Sequence, residues 1–112
     1  MANRNSKLDL LFQALSDPTR RAVLEQLADG PASVGDLAQP HDMALPSFTK
    51  HIAMLEQAGL IRSSKQGRVR ICHLVGARLK PAEAWFARQR GKSAEAEIER
   101  LAPLVTSLYR TG

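Results

Sequence analysis

Ser47, Thr49, Lys50 and Ala53 fall on one side of a predicted helix whose other side carries Phe48, Ile52 and Leu55 at a four-then-three spacing. Short hydroxyls and a lysine near a helix start suit hydrogen bonding to base edges and phosphates, in a groove wide enough to admit a helix. Pro46 opens that helix without an N–H left to satisfy, which keeps its end compact. The pattern assigns Ser47 and Thr49 to base or phosphate hydrogen bonds and Lys50 to a phosphate or a guanine edge. His51 is expected to donate to a phosphate, a contact that positions without specifying. Lys65, Arg68 and Arg70 crowd the tip of a predicted hairpin, where arginine can cross the backbone or enter a narrow minor groove. The plainer readings are a solvated helix face and a charged edge strand that resists aggregation. Arg20 and Arg21 either touch phosphates or face water.

Other chemistries find little support. Cys72 is the single cysteine of the chain, so no intrachain disulfide and no multi-cysteine zinc site can form. His41, His51 and His73 are the remaining candidate metal ligands, and Cys72 and His73, as strand neighbours, point to opposite faces. On that strand Cys72 shares a face with Leu74, which favours a buried small hydrophobe over a reactive thiolate. No nucleophile stands at useful spacing from a histidine and no glycine-rich phosphate loop occurs, so no enzyme is expected. No metal and no cofactor are expected either.

The chain's 112 residues fit one domain, with 44% apolar and 24% charged residues, an ordinary globular balance. Its net charge of +5 favours polyanionic partners. Aromatic residues are only 4% of the chain, too few for the stacking platforms that grip single strands, so duplex DNA is the better partner. No apolar stretch approaches the roughly 20 residues needed to span a bilayer, and the first residues lack an apolar signal core. No membrane association and a cytoplasmic location are therefore expected.

These side chains need elements to hold them. Leu8, Leu11, Phe12 and Leu15 mark one helical face. Asp17-Pro18 caps a second helix that buries Val23, Leu24 and Leu27 and stops near Gly30-Pro31. Ser33 and Asp36 resemble a capping box opening a short third helix, which Pro40 ends. The fourth helix runs from Leu45-Pro46 to a left-handed cap at Ala58-Gly59. Two short helices joined by a tight turn make a helix-turn-helix over about 33–60. A two-stranded hairpin turning at Gln66-Gly67 follows over 61–75, and a last helix over 81–110. Along the last helix Ala84, Ala87, Gly91, Ala94, Ile98, Leu101, Val105 and Leu108 form a three-and-four seam suited to pairing with another helix. Gly91 weakens its middle and Pro103 is expected to kink or interrupt its end.

The order helix, helix, helix, helix, hairpin, helix describes a mainly α fold with a two-stranded β-hairpin wing. Three blocks sharpen it: Leu15-Ser16-Asp17-Pro18-Thr19-Arg20-Arg21, Leu45-Pro46-Ser47-Phe48-Thr49-Lys50-His51-Ile52 and Leu55-Glu56-Gln57-Ala58-Gly59-Leu60-Ile61. Together they resemble the ArsR family of bacterial transcriptional regulators, over roughly residues 8–90. The likeness is to members without metal-binding cysteines, because Ser33–Ala38 holds no thiol and the last helix holds no histidine. The resemblance implies a homodimeric winged helix-turn-helix repressor, often autoregulatory, on a palindromic operator. Many members carry a basic residue where Ala53 stands, so base readout here is expected to be either weaker or more dependent on thymine methyl contacts. Residues 1–112 are expected to form one such domain, dimerising through its terminal helices by Leu8, Leu11, Phe12, Ala87, Ala94, Ile98, Leu101, Val105 and Leu108. Rival readings are a protein-docking adaptor and a ligand- or redox-controlled form of the same regulator, with the effector unknown. The basic set Lys50, Arg68 and Arg70 disfavours the adaptor, whose docking face should be more apolar.

Overall fold

The computed structural model describes the backbone of residues 6–110 and the side chains of residues 6–104, 107 and 108. The chain divides into two compact units, one up to Lys80 and one from Pro81 onward. In the first unit α1 (Ser6–Leu15) leads to α2 (Pro18–Ala28), β1 (Ala32–Ser33), α3 (Val34–Ala38), α4 (Leu45–Gln57), β2 (Ile61–Gln66), β3 (Val69–Leu74) and a 3₁₀ turn (Gly76–Leu79). The second unit begins one residue into α5 (Lys80–Arg110). The architecture is a winged helix-turn-helix.

Local chemistry sets the boundaries. Asp17 accepts the Arg20 backbone N–H at 3.1 Å, with Pro18 in the first turn, and so caps α2. Ser33 does the same for α3, its Oγ accepting from the Asp36 N–H at 3.0 Å. At the end of α4 the Leu60 N–H reaches the Leu55 carbonyl at 3.0 Å and the Gly59 N–H reaches the Glu56 carbonyl at 2.9 Å. This paired closure needs a left-handed residue, and Gly59 supplies it at φ +77°. A Cβ at that position would lie 3.3 Å from Arg78 Nε, close enough that the arginine side chain would have to shift slightly.

The apolar stripe of α4 turns inward as its spacing predicts: Phe48, Ile52 and Leu55 are buried with Leu37 of α3, Val23, Leu24 and Leu27 of α2, and Leu60 and Ile61. Fully burying a side chain such as Phe48 contributes about 1.5–3 kcal/mol. That core fixes which face of α4 is left for solvent.

Three features differ from the sequence expectation. The sheet has three antiparallel strands in the order β1-β3-β2, not two. Ala32 pairs with Cys72 and Ser33 with Ile71, so a two-residue strand just before α3 covers the inner edge of the hairpin. An isolated hairpin is marginal in water, and the added strand gives it backbone partners on both sides of β3. The last helix is not interrupted: α5 is assigned continuously through Gly91 and Pro103. A proline withholds one N–H, and one missing bond among 31 residues does not end this helix. Leu11, expected at a dimer surface, is 3% exposed and belongs to the core, because α1 buries Leu11 and Ala14 while Leu10 is exposed.

Candidate nucleic-acid interface

The face of α4 opposite Phe48, Ile52 and Leu55 carries Pro46, Ser47, Thr49, Lys50 and Ala53, all exposed. Inward apolar packing brings these five onto one surface. The helix start has no side-chain cap, since Ala44 occupies that position. Before it, residues 39–44 link α3 to α4, with the His41 ring stacked on Phe48 at a centroid distance of 5.5 Å. Thr49 Oγ donates to its own helix, to the Pro46 carbonyl at 3.0 Å. Its oxygen lone pairs are left to accept, which suits a base amino group rather than a phosphate. Ser47 has no such commitment to its own helix among the hydrogen bonds described, so it can donate or accept.

The wing rises from the end of α4. Gln66 pairs with Val69 across a two-residue turn, Gly67-Arg68, and Gly67 takes φ +65° while no non-glycine residue has a positive φ. This matches a turn with glycine at its first central position, whose twist suits a hairpin. Lys65 stands directly opposite Arg70, and both are exposed with Arg68. Like charges placed face to face across strands are destabilising, so the tip concentrates repulsion that an anion would relieve. Arg62 and His73 form a second exposed cross-strand pair on the same hairpin, and Arg62 adds a cation that sequence alternation did not single out.

Arg70 is not simply a free tip cation. Its Nη1 donates to Ser63 Oγ at 3.0 Å, and Ser63 Oγ donates to Glu56 Oε2 at 3.0 Å. The wing is thereby tied to the last turn of α4. Lys65 and Arg68 have no comparable tie among the described bonds. Cys72 is fully buried behind this relay. Burial pushes its thiol up, and the Glu56 carboxylate adds to that while Arg70 opposes it. A thiol held protonated in this way is a poor redox sensor.

Arg20 and His51 are tied to other helices. Arg20, read as touching phosphate or facing water, does neither: it is 7% exposed. Its Nε donates to the Ala14 carbonyl at 2.8 Å and its Nη2 to the Gln13 carbonyl at 2.9 Å. Both carbonyls lie in the last turn of α1, where oxygens lack the usual i+4 partner within the helix and the dipole is negative. Its Nη1 donates to His51 Nδ1 at 2.9 Å, so the histidine expected at a phosphate is half-buried and held from below. Asp17 Oδ2 is 3.8 Å from the same Nδ1. Burial raises the Asp17 carboxyl, but the hydrogen bonds from the Arg20 and Thr19 backbone N–H groups and the Arg20 charge outweigh it, and its pKa is lowered. Arg21 Nη1 donates to the Leu15 carbonyl at 2.7 Å from an exposed position.

Of the residues expected at a dimer surface, Leu8 and Phe12 are half-buried on α1. On α5, Ala87 and Ala94 are exposed, and Ile98, Leu101 and Leu108 are 66%, 49% and 73% exposed, together with Leu104 at 63%. The Val105 side chain lies outside the described residues. Among the described residues no group of three or more His, Cys, Asp or Glu side chains could hold a metal ion, and no helix is long and apolar enough to cross a membrane.

Comparison with known proteins places this geometry. A family model described as a helix-turn-helix domain matches residues 15–64, which span α2 to the middle of β2. The arsenical resistance operon repressor of Escherichia coli is 32% identical over 102 residues, covering 89% of this chain and 83% of the repressor. The HTH-type transcriptional regulator Rv2034 of Mycobacterium tuberculosis is 39% identical over 66 residues, 59% of this chain, and the match spans only 62% of that relative. The crystal structure of an ArsR family transcriptional regulator superposes with a TM-score of 0.78 at 53% identity, covering 84% of this chain and 97% of that one. These relatives are named as regulators of transcription, not as enzymes.

Proposed function

This chain belongs to the ArsR family of transcriptional regulators, and on that premise we propose that it is a repressor acting on duplex DNA as a homodimer, on a palindromic operator that includes its own promoter. The α4 face enters the major groove, with Ser47, Thr49 and Lys50 at base edges and phosphates and Ala53 against a thymine methyl. Lys65 and Arg68 run along the neighbouring backbone or minor groove, with Arg70 held closer to the wing's root. One observation carries this reading: a helix face of short polar side chains and a lysine stands exposed because Phe48, Ile52 and Leu55 are buried beneath it, beside a wing whose tip carries the exposed cations Lys65 and Arg68.

Dimerisation is supported by α5, whose exposed Ile98, Leu101 and Leu104 recur at helical spacing and need a cover. Two recognition helices would then meet successive major grooves about 34–36 Å apart. The chain also fits the members without metal-binding cysteines, since its one cysteine is buried.

The test is a titration of a duplex from the region upstream of its own coding sequence against a random duplex of equal length, at several salt concentrations. The upstream duplex should bind at least 10³-fold more tightly, with log affinity falling by about 0.9 per neutralised phosphate for each log unit of salt. Lys50→Ala should weaken binding, whereas Lys92→Ala on α5 should not. Equal affinity for the two duplexes would reject the proposal.

A further inference from the structure

His51 occupies an unusual position for a residue of a reading helix. Arginine has five N–H donors and no acceptor, so the 2.9 Å contact with Arg20 Nη1 requires an unprotonated Nδ1. While that bond stands, the imidazole is neutral, with its proton on Nε2. Asp17 Oδ2, at 3.8 Å, is beyond hydrogen-bond reach of the same nitrogen and already accepts the Arg20 backbone N–H. The guanidinium is fixed in turn by the Gln13 and Ala14 carbonyls. Three acceptors on two other helices thus determine its plane, a geometry that a single ammonium could not reproduce.

We propose that Arg20 and His51 are positioning residues for operator recognition, forming a latch that sets how α4 presents Ser47 and Lys50, with His51 acting through its Nδ1 bond to Arg20. The proposal rests on the DNA-binding reading above. Ser47 lies four residues before His51 and Lys50 directly precedes it, so a rotation of α4 about this anchor moves both. Phe48, Ile52 and Leu55 fix the depth of α4 through apolar packing, which is non-directional. The latch adds a directional bond at one azimuth. It also joins the end of α1 and the capped start of α2 to the reading helix, the three segments meeting at one buried cation.

The measurements are the melting temperature of the free protein and its affinity for the upstream and random duplexes across salt. They are made for the wild type, His51→Phe, His51→Asn and Arg20→Lys. Phenylalanine keeps the ring but offers no acceptor, while the Asn carbonyl oxygen can take the place of Nδ1. His51→Phe and Arg20→Lys should each lose roughly tenfold or more in affinity for the upstream duplex, as expected for a lost charge-assisted bond. Their random-duplex affinity and salt slopes should stay unchanged, and His51→Asn should recover most of the loss. An equal loss of affinity for the upstream and the random duplex in both His51 variants, His51→Asn included, would make His51 a phosphate ligand and overturn the proposal. A lower melting temperature with unchanged discrimination between duplexes would also overturn it, leaving a structural brace only. If the wild type fails to distinguish the two duplexes, the DNA reading itself falls and the latch proposal with it.

Discussion

The reading face of α4 and the tip of the wing both present positive charge, yet they are built on opposite principles. Beneath the helix face lie Phe48, Ile52 and Leu55, all buried, and an arginine latch fixes the helix from the side. Its outward groups are mostly short, so their positions follow the backbone closely. The wing tip has exposed residues on both strands from Lys65 to Arg70, and its cations sit on long side chains with like charges opposed. Short side chains on a braced helix can discriminate between bases, whereas long flexible cations on an exposed hairpin supply attraction that is largely indifferent to sequence. The tie from Arg70 through Ser63 to Glu56 is where the two regimes meet.

The largest expected contrast is in stability. Phe48→Ala should cost about 3–5 kcal/mol, because it opens a cavity at a fully buried ring. Val69→Ala, at a wing position 46% exposed, should stay within roughly 0.5 kcal/mol. Denaturant melts of the two variants compare them directly, and a similar loss at both sites would show the wing to be as firmly packed as the helix.

A smaller contrast concerns discrimination. Ser47→Ala should cost about 1–3 kcal/mol on the upstream duplex and almost nothing on a random one. Arg68→Ala should weaken both duplexes by similar factors and lower the salt slope by about 0.9 for each phosphate released. Titrations at three or more salt concentrations separate the two patterns. An Arg68→Ala variant that loses only the upstream duplex would give the wing a share in base readout.

Much of this division is legible in the residues themselves. The spacing of Phe48, Ile52 and Leu55 fixes the buried side of α4, and hence its outer face, because helical periodicity and burial are tightly linked. Gly59 and Gly67 mark a helix end and a hairpin turn, where positive φ favours a residue without a Cβ. What could not be read depends on contacts between distant segments. The strand Ala32–Ser33 is too short to show alternation and is defined only by its partners Cys72 and Ile71. Arg20 looks like a surface residue, since arginine is seldom buried without partners. Its partners here are two backbone carbonyls and a histidine 31 positions away. Leu11 and Leu10 differ by one position, and only the packed α1 shows that the first is inside.

The smallest effect is a pair of pH limbs that should fall separately on the helical and the sheet side of the molecule. Asp17 has a folded pKa below its ordinary value, so its ionised form favours the folded state. That contribution is complete above the unfolded carboxylate value of about 3.9 and is lost as pH falls through the lower folded value. Cys72 is the reverse case, with a folded pKa above its ordinary value, so its neutral form favours folding. Its contribution is complete below the unfolded thiol value of about 8.5 and is lost as pH rises toward the folded value. Asp17→Asn keeps a competent helix cap while removing the charge, and should flatten the acid limb without touching the alkaline one. Cys72→Ala should do the opposite, flattening the decline above about pH 8.5. Thermal melts of the three proteins across both windows test the assignment, and an alkaline limb that survives Cys72→Ala would move that titration away from the buried strand.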